Sequence, residues 1–495
     1  MNLVKDKNNL IFLAFILFFS HFFPFSRESL APDDYGLINN SNNFFKNFFL
    51  YPDRPIQYFF LDLKYFLLKQ NILTYNIILI IFNLINIVAV YFFIKLFFNQ
   101  KDTFLITIIY VLLINKLELY HNPIMIHICA VSTLYILSLY FLIKYINFQK
   151  IIFLISSLIL FTISIFWYEI GFFISFSIIF YNKNSFSHIK KIKILIPYIS
   201  IILIYSLLRI TNLFGYAVLE QTHSINYDFL NGILEIFKHH LGRYLFKNII
   251  YGFYQFFNYS YTYIILFFII NFLLIFIFYK KIYYKKIEKY NLTFFVSLFI
   301  LAILPLIING QSGGRNLIIS SISFSIFIFI FFSFFKTYFK FAYIFFVLIS
   351  LIISQGNNLS QINASKIQKN IFIAFDNNRD LIKSVDYVIF NPKSLTDNIH
   401  YTFVKNKNNL LNTYFGAQVW EIWGLRGYLF LNDFDLKSEL IIVNKNPEFE
   451  KNTIKLSKIY YDDNDEFKIE NIVLKDKEVI IFDYSNIFNE NFNNY

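Results

Sequence analysis

A single cysteine in 495 residues leaves no disulfide within the chain and no cysteine-based metal centre, and that residue, Cys129, sits inside an apolar run. Charged side chains make up only 15% of the sequence, against 57% hydrophobic and 22% aromatic. A soluble domain of this length has no use for so much apolar surface, so the composition excludes an ordinary globular enzyme. No Walker-type phosphate loop occurs: the glycine spacing and the terminal Lys-Ser/Thr are missing. There is no G-x-S-x-G elbow. His239 and His240 face two directions on a helix, and His121 and His127 are not at i, i+4, so no zinc signature exists. The net charge of +12 is not drawn into a basic stripe interleaved with aromatics, so nucleic acid is not an expected partner.

What the chain has is a succession of apolar runs between residues 10 and 354. By length they predict about eleven membrane-spanning helices, at 10–25, 73–98, 103–115, 123–145, 151–166, 168–181, 194–212, 259–279, 292–309, 316–335 and 341–354. Some are short for a full crossing and need shielding by neighbours. The first run has a basic start but no small-x-small cleavage site, and is expected to remain as a span. Lysines then orient the bundle. With the N-terminus in the cytoplasm, the inner links hold Lys5, Lys7, Lys101, Lys150, KNSFSHIKKIK, KKIYYKKIEK, Lys336 and Lys340. The short outer links hold little lysine: Lys116 in one, none around WYE or NGQSGG. The bias toward Phe, Tyr, Ile, Asn and Lys is that of an AT-rich bacterial genome, so the expected location is the cell inner membrane, crossed many times.

Two outer loops are long. The first contains NNFFKNFFLY and IQYFFLDLKYFLLKQ, aromatic-rich segments with isolated charges that read as helices lying on the membrane surface. The second, about 212–258, contains DFLNGILEIFKHHLGRYLF and reads the same way. After residue 354 the sequence turns polar. VDYVIF, ELIIVN and EVIIFDYS read as strands and SQINASKIQKNIFIAF as a helix. The expected fold is therefore mainly α: a polytopic helical membrane domain over 1–354 and a small extracytoplasmic α/β domain over 355–495, on the periplasmic side.

Three places carry candidate chemistry, all on the expected outer side. In APDDYG, Asp33 and Asp34 follow the first span. A solvated turn would use the same letters, but paired carboxylates at a membrane rim can raise one another's pKa, take a proton from a hydroxyl or bind a divalent cation. In SIFWYEIGFF, Glu169 occupies a tight turn between apolar runs, either against headgroups or facing a wet cavity. In LIINGQSGGRNLII, Arg315 opens a span after a Gly-rich turn, where a fork of donors and a helix N-terminus favour an anion. A snorkelling arginine is the plainer alternative. All seven arginines (Arg27, Arg54, Arg209, Arg243, Arg315, Arg379 and Arg426) fall on the expected outer side or at outer span ends in a chain that prefers lysine, and Arg54, in YPDRPIQ, shares the loop of the acidic pair. That selective use suggests anion recognition there.

Together PDDY after the first span, DRP before the second, the acidic turn WYE and the late GGR resemble the membrane glycosyltransferases of the GT-C superfamily, in particular the O-antigen glucosyltransferase-like bacterial branch. The resemblance implies a polyprenyl-phosphate sugar donor and a glycan, lipid or protein acceptor. It implies Asp33 or Asp34 as general base, Glu169 as second acid orienting the acceptor or sharing a cation, and Arg315 with Arg54 on the lipid phosphate. VWEIWG in the tail is only superficially like the sequon-reading motif of oligosaccharyltransferases, so protein N-glycosylation is not expected. A lipid-linked glycan polymerase or flippase is the alternative. A transporter would set its charges within spans, and here the acids lie at the rim.

Overall fold

The computed structural model describes residues 3–25, 27–30, 54–182, 187–210, 230, 233, 234, 237, 243–279, 292–309, 314–391, 401–406, 409–414, 417–420, 428, 429, 439–443, 448–450, 453–461, 467–475 and 479–483. Its helices are α1 (Leu3–His21), α2 (Pro55–Leu68), α3 (Ile72–Ile94), α4 (Gln100–Leu112), α5 (Ile126–Phe148), α6 (Ile151–Trp167) and α7 (His188–Ile210), then α8 (Arg243–Phe257), α9 (Tyr261–Tyr279), α10 (Leu292–Asn309), α11 (Ser320–Ser333), α12 (Phe339–Asn377) and α13 (Arg379–Ser384). The chain forms two compact units. One comprises Met1–Phe25, Phe44–Leu61 and Thr74–Asn358, the other Ser26–Asn43, Asp62–Leu73 and Leu359–Tyr495.

The first unit is helical and turned inside out relative to a soluble bundle. Helix α3 exposes Leu73, Ile77, Ile81, Ile85 and Val88 along one side and buries Asn76, Asn83 and Asn86. Helix α6 exposes Ile151, Ile155, Ile159 and Ile163 and buries Ser157 and Ser164. Only a hydrocarbon solvent makes that arrangement favourable, so the protein is a helical membrane protein.

Ile72–Ile94, Pro123–Phe148, Ile189–Leu208 and Lys336–Asn377 are long and apolar enough to cross a bilayer. Leu245–Phe257 and Tyr261–Leu273, bent by 112° at their junction, make a fifth crossing if taken as one. The expected number of about eleven also counted shorter runs. Among the described residues, Ile151–Trp167, Glu169–Phe180, Leu292–Ile307 and Ser320–Ser333 are apolar but too short to span alone.

One expected α-helix is wound differently. The run 168–181 forms two 3₁₀ segments, Glu169–Gly171 and Ile174–Phe180. At a rise of about 2.0 Å per residue, against about 1.5 Å in an α-helix, this winding lets a short run reach further.

Buried polar side chains tie the helices together. Asn86 donates to Ser132 and Thr133 of α5 and accepts from Tyr110 of α4 at 2.7 Å. Ser138, Ser157 and Tyr198 link α5, α6 and α7. At the far end of α3, Asp6 accepts from Tyr91 at 2.8 Å and pairs with Lys95. Lys116 is buried between the rings of Tyr110 and Tyr120, at 3.6 and 4.9 Å from their centroids.

Helices α8 and α12 touch backbone to backbone at Gly252 and Gly356, and Asn357 donates to the Asn248 carbonyl at 3.0 Å beside them. Small residues permit such close crossings where apolar attraction between helices is absent.

The second unit contains the end of α12, α13 and two sheets. A six-stranded sheet runs β6 (Glu448–Glu450), β7 (Thr453–Tyr461), β5 (Glu439–Val443), β1 (Tyr387–Asn391), β9 (Val479–Asp483), with β8 (Phe467–Lys475) also pairing with β7. β1 is parallel to both β5 and β9. These three are the runs read as strands from the sequence, and their unbroken apolar character suits a parallel sheet's interior. β2 (Tyr401–Asn406), β3 (Asn409–Tyr414) and β4 (Ala417–Trp420) form a separate antiparallel sheet. Ile389, Leu456 and Leu474 form the core of the larger sheet. The segment before residue 31 is stitched to α12, with Glu28 N–H on Ser365 Oγ at 3.1 Å and Ser29 Oγ on the Ser365 carbonyl at 3.0 Å.

A methyl group on Gly356 would lie 1.7 Å from the Gly252 carbonyl oxygen. Gly356→Ala is therefore expected to destabilise the bundle by about 1–3 kcal/mol, as overpacked sites do. The thermal midpoint of the detergent-solubilised protein checks this, and an unchanged midpoint would mean that the crossing is loose.

Candidate functional site

Two of the arginine and acid candidates meet. Arg54 stands directly before α2, its carbonyl accepting from Tyr58 N–H at 3.3 Å. Glu169 opens the 3₁₀ turn that follows α6. Although they are 115 residues apart, Arg54 Nε donates to Glu169 Oε2 at 3.0 Å and Nη2 donates to Oε1. Both residues are buried, 7% and 8% exposed. Burial opposes the charge on Arg54, but the Glu169 carboxylate, Tyr168 and Tyr205 together outweigh it and hold the guanidinium above its ordinary range.

The local chain accounts for this placement. Helix α6 stops because Tyr168 takes an extended conformation, φ −165° and ψ 130°. Its N–H still reaches the Ser164 carbonyl at 2.9 Å, so the helix end is satisfied while the side chain swings out. The next three residues close a tight turn through Phe172 N–H to the Glu169 carbonyl at 3.1 Å. Tyr135 of α5 props up the turn. Its hydroxyl donates to the Tyr168 carbonyl at 3.0 Å, and its ring lies so close to Gly171 that any β-carbon there would sit 2.6 Å from it. A glycine is required at 171 by that approach.

Tyr168 lies between the charged pair and the rest of the site. Arg54 lies over its ring, 4.5 Å from the centroid, a cation–π contact. His127 meets the same ring edge-on at 5.9 Å. The Tyr168 hydroxyl points at Asn316 Oδ1 at 3.5 Å, the outer limit of a hydrogen bond. Asn316 belongs to the 3₁₀ turn Gly314–Leu317, so the backbone element that carries Arg315 reaches this cluster. That turn leads into α11, where Ser321 bonds Asn115 at 3.1 Å. On the other flank, Trp167 packs on Phe60 of α2 at 4.9 Å.

Glu169, Arg54 and the turn of Arg315 thus converge. The Arg315 side chain lies outside the described residues, and so do Asp33 and Asp34. Among the described residues no group of three His, Cys, Asp or Glu is placed to hold a metal ion. Sequence reasoning passed over Tyr168, Trp167, Tyr135 and Asn316. The signal available for the first two was their position beside the acid in WYE.

Removing one member of a buried pair strands the other charge. Glu169→Ala is expected to destabilise the fold by about 3–5 kcal/mol, read as a lowered thermal midpoint. A surface-like loss below about 1 kcal/mol would mean that water reaches the pair. No protein-family model, curated protein or solved structure matches the chain.

Proposed function

We propose that the protein is a membrane glycosyltransferase of GT-C type. It moves a sugar from a polyprenyl-phosphate donor to an acceptor hydroxyl at the outer face of the cell inner membrane, with inversion. The observation that supports this reading best is the meeting of Arg54 and Glu169 beside the turn carrying Arg315. A cation and an acid from two distant segments meet beside the turn of a third, where a lipid phosphate and a water-borne acceptor would both have to arrive.

In this mechanism Asp33 or Asp34 accepts the proton of the acceptor hydroxyl as its oxygen attacks the anomeric carbon. The bond from that carbon to the phosphate oxygen breaks, and its electron pair leaves on the phosphate. Arg315 and Arg54 stabilise the charge that develops there. Lipid phosphate is a competent leaving group, so no strong general acid is needed. Glu169 is the second acid of the site.

Membranes containing the chain, supplied with radiolabelled polyprenyl-phosphate sugars, test the reading. Asp33→Asn or Asp34→Asn is expected to lower transfer by about 10²–10⁴-fold with insertion unchanged. Near-normal transfer in both variants rejects the base. Lipid movement without transfer would assign the protein to the flippases, and glycan extension indifferent to both aspartates would assign it to the polymerases.

The proposed orientation puts the N-terminus in the cytoplasm, about eleven crossings in the bundle and the sheet domain outside. The buried Cys129 makes the chain a quiet background for cysteine labelling. Lys383→Cys should react with a membrane-impermeant maleimide in intact cells, and Lys150→Cys only after lysis. The reverse pattern would invert the topology.

A further inference from the structure

A guanidinium has five N–H donors, and Glu169 takes two from Arg54, on Nε and Nη2. The carboxylate therefore grips the side edge of the fork. Tyr168 covers one face of the same group. The remaining edge, made by Nη1 and the second hydrogen of Nη2, meets no acceptor among the described residues. Nearby, the indole N–H of Trp167 is buried without a partner. Gln57, one turn into α2 from Arg54, has a buried amide oxygen that is also unpartnered. Buried polar groups are nearly always satisfied, so this cluster has unused capacity for an oxyanion next to a hydroxyl. Phe60 and Trp167 give the surroundings an apolar wall.

We infer that Glu169 is a positioning residue: by fixing the side edge of Arg54 it turns the Nη1 edge toward the oxygens of a phosphate ester. The inference rests on the glycosyl-transfer reading and narrows it. Glu169 then acts through Arg54 and neither moves a proton nor binds a cation. A planar fork held on one edge and stacked on one face keeps a single direction of approach for its ligand, which a lysine could not do.

The test uses the full chain in detergent and three probes: farnesyl phosphate, farnesol and inorganic phosphate, each titrated against the thermal midpoint. Farnesyl phosphate is expected to raise the midpoint and farnesol to leave it unmoved. An equal rise with inorganic phosphate would identify a free phosphate as the source of the same chemistry, and a lesser one a lipid-linked ester. The exchange Arg54→Glu with Glu169→Arg keeps the ion pair, so its midpoint without ligand should stay near that of the native chain. Its affinity for farnesyl phosphate should nevertheless fall by about 10- to 100-fold, the worth of charge-assisted hydrogen bonds. A purely structural pair would be rescued in both measurements, and that result overturns the inference. If the exchange fails to fold, Arg54→Lys, which keeps the charge and loses the fork, should show a loss of about tenfold or more. Native-like binding by Arg54→Lys overturns the inference equally. Transfer by the native chain is scored separately. Binding that depends on the Arg54 fork without any sugar transfer sinks the reaction and leaves the anion site standing. Transfer that needs Asp33 or Asp34 while Arg54→Lys binds normally sinks the site alone.

Discussion

Arg54 and Glu169 are charged side chains withdrawn from water, and each offsets much of the cost of burying the other. Their placement depends on a chain of local causes. Tyr168 must break α6, Gly171 must leave room for the Tyr135 ring, and the Tyr135 hydroxyl must hold the Tyr168 carbonyl. Tyr135 is in turn seated against Phe161 of α6, whose ring packs on Tyr198 of α7. The packing of three helices is thus transmitted to the position of one carboxylate, and through it to one guanidinium.

The same rule governs the rest of the first unit. With lipid outside, burying apolar surface does little to bring helices together, and the interior is where polar groups find partners. The amides of α3 do this by bonding Tyr110, Ser132, Thr133 and the Leu119 carbonyl. The glycines of α8 and α12 do it by bringing backbones into contact. Asp6, though buried, is held in its charged form below the usual carboxylate range, because Lys95, Tyr91 and Gln100 outweigh the effect of its burial. Polar contacts therefore mark the helix–helix seams, and the isoleucines and leucines mark the lipid face.

Much of this fold is legible in the letters, because a bilayer demands long apolar runs and a parallel sheet demands unbroken β-branched ones. Where the reading departs from the structure, the cause is packing that composition does not encode. The sequence turns polar at Ser354, which suggests the end of a membrane helix, yet α12 continues to Asn377. Ser354, Gln355, Asn357, Asn358 and Ser360 are buried, so the change in composition records new neighbours and not exposure to water. The strands β7 and β8 alternate, with Leu456 and Leu474 inward and Lys455 and Val473 outward, a pattern blurred by the apolar Val473 on the open face. At the site, Arg54 and Glu169 each stand out as a charge in an apolar setting. Nothing in a single sequence joins residues 115 apart, and Tyr168 looks like one more aromatic in a chain with 37 tyrosines.

The location of the cluster also bears on what it can do. A carboxylate free to meet substrate would have to be reachable, whereas Glu169 is buried and both its oxygens accept from Arg54. Such a commitment lowers its value as a base or a metal ligand, since either role would first have to break a buried, two-point ion pair. It raises the value of Arg54, whose charge is secured by a partner that leaves its outer edge unused. On the proposed reaction the proton falls to Asp33 or Asp34, and Glu169 is left to serve the cation.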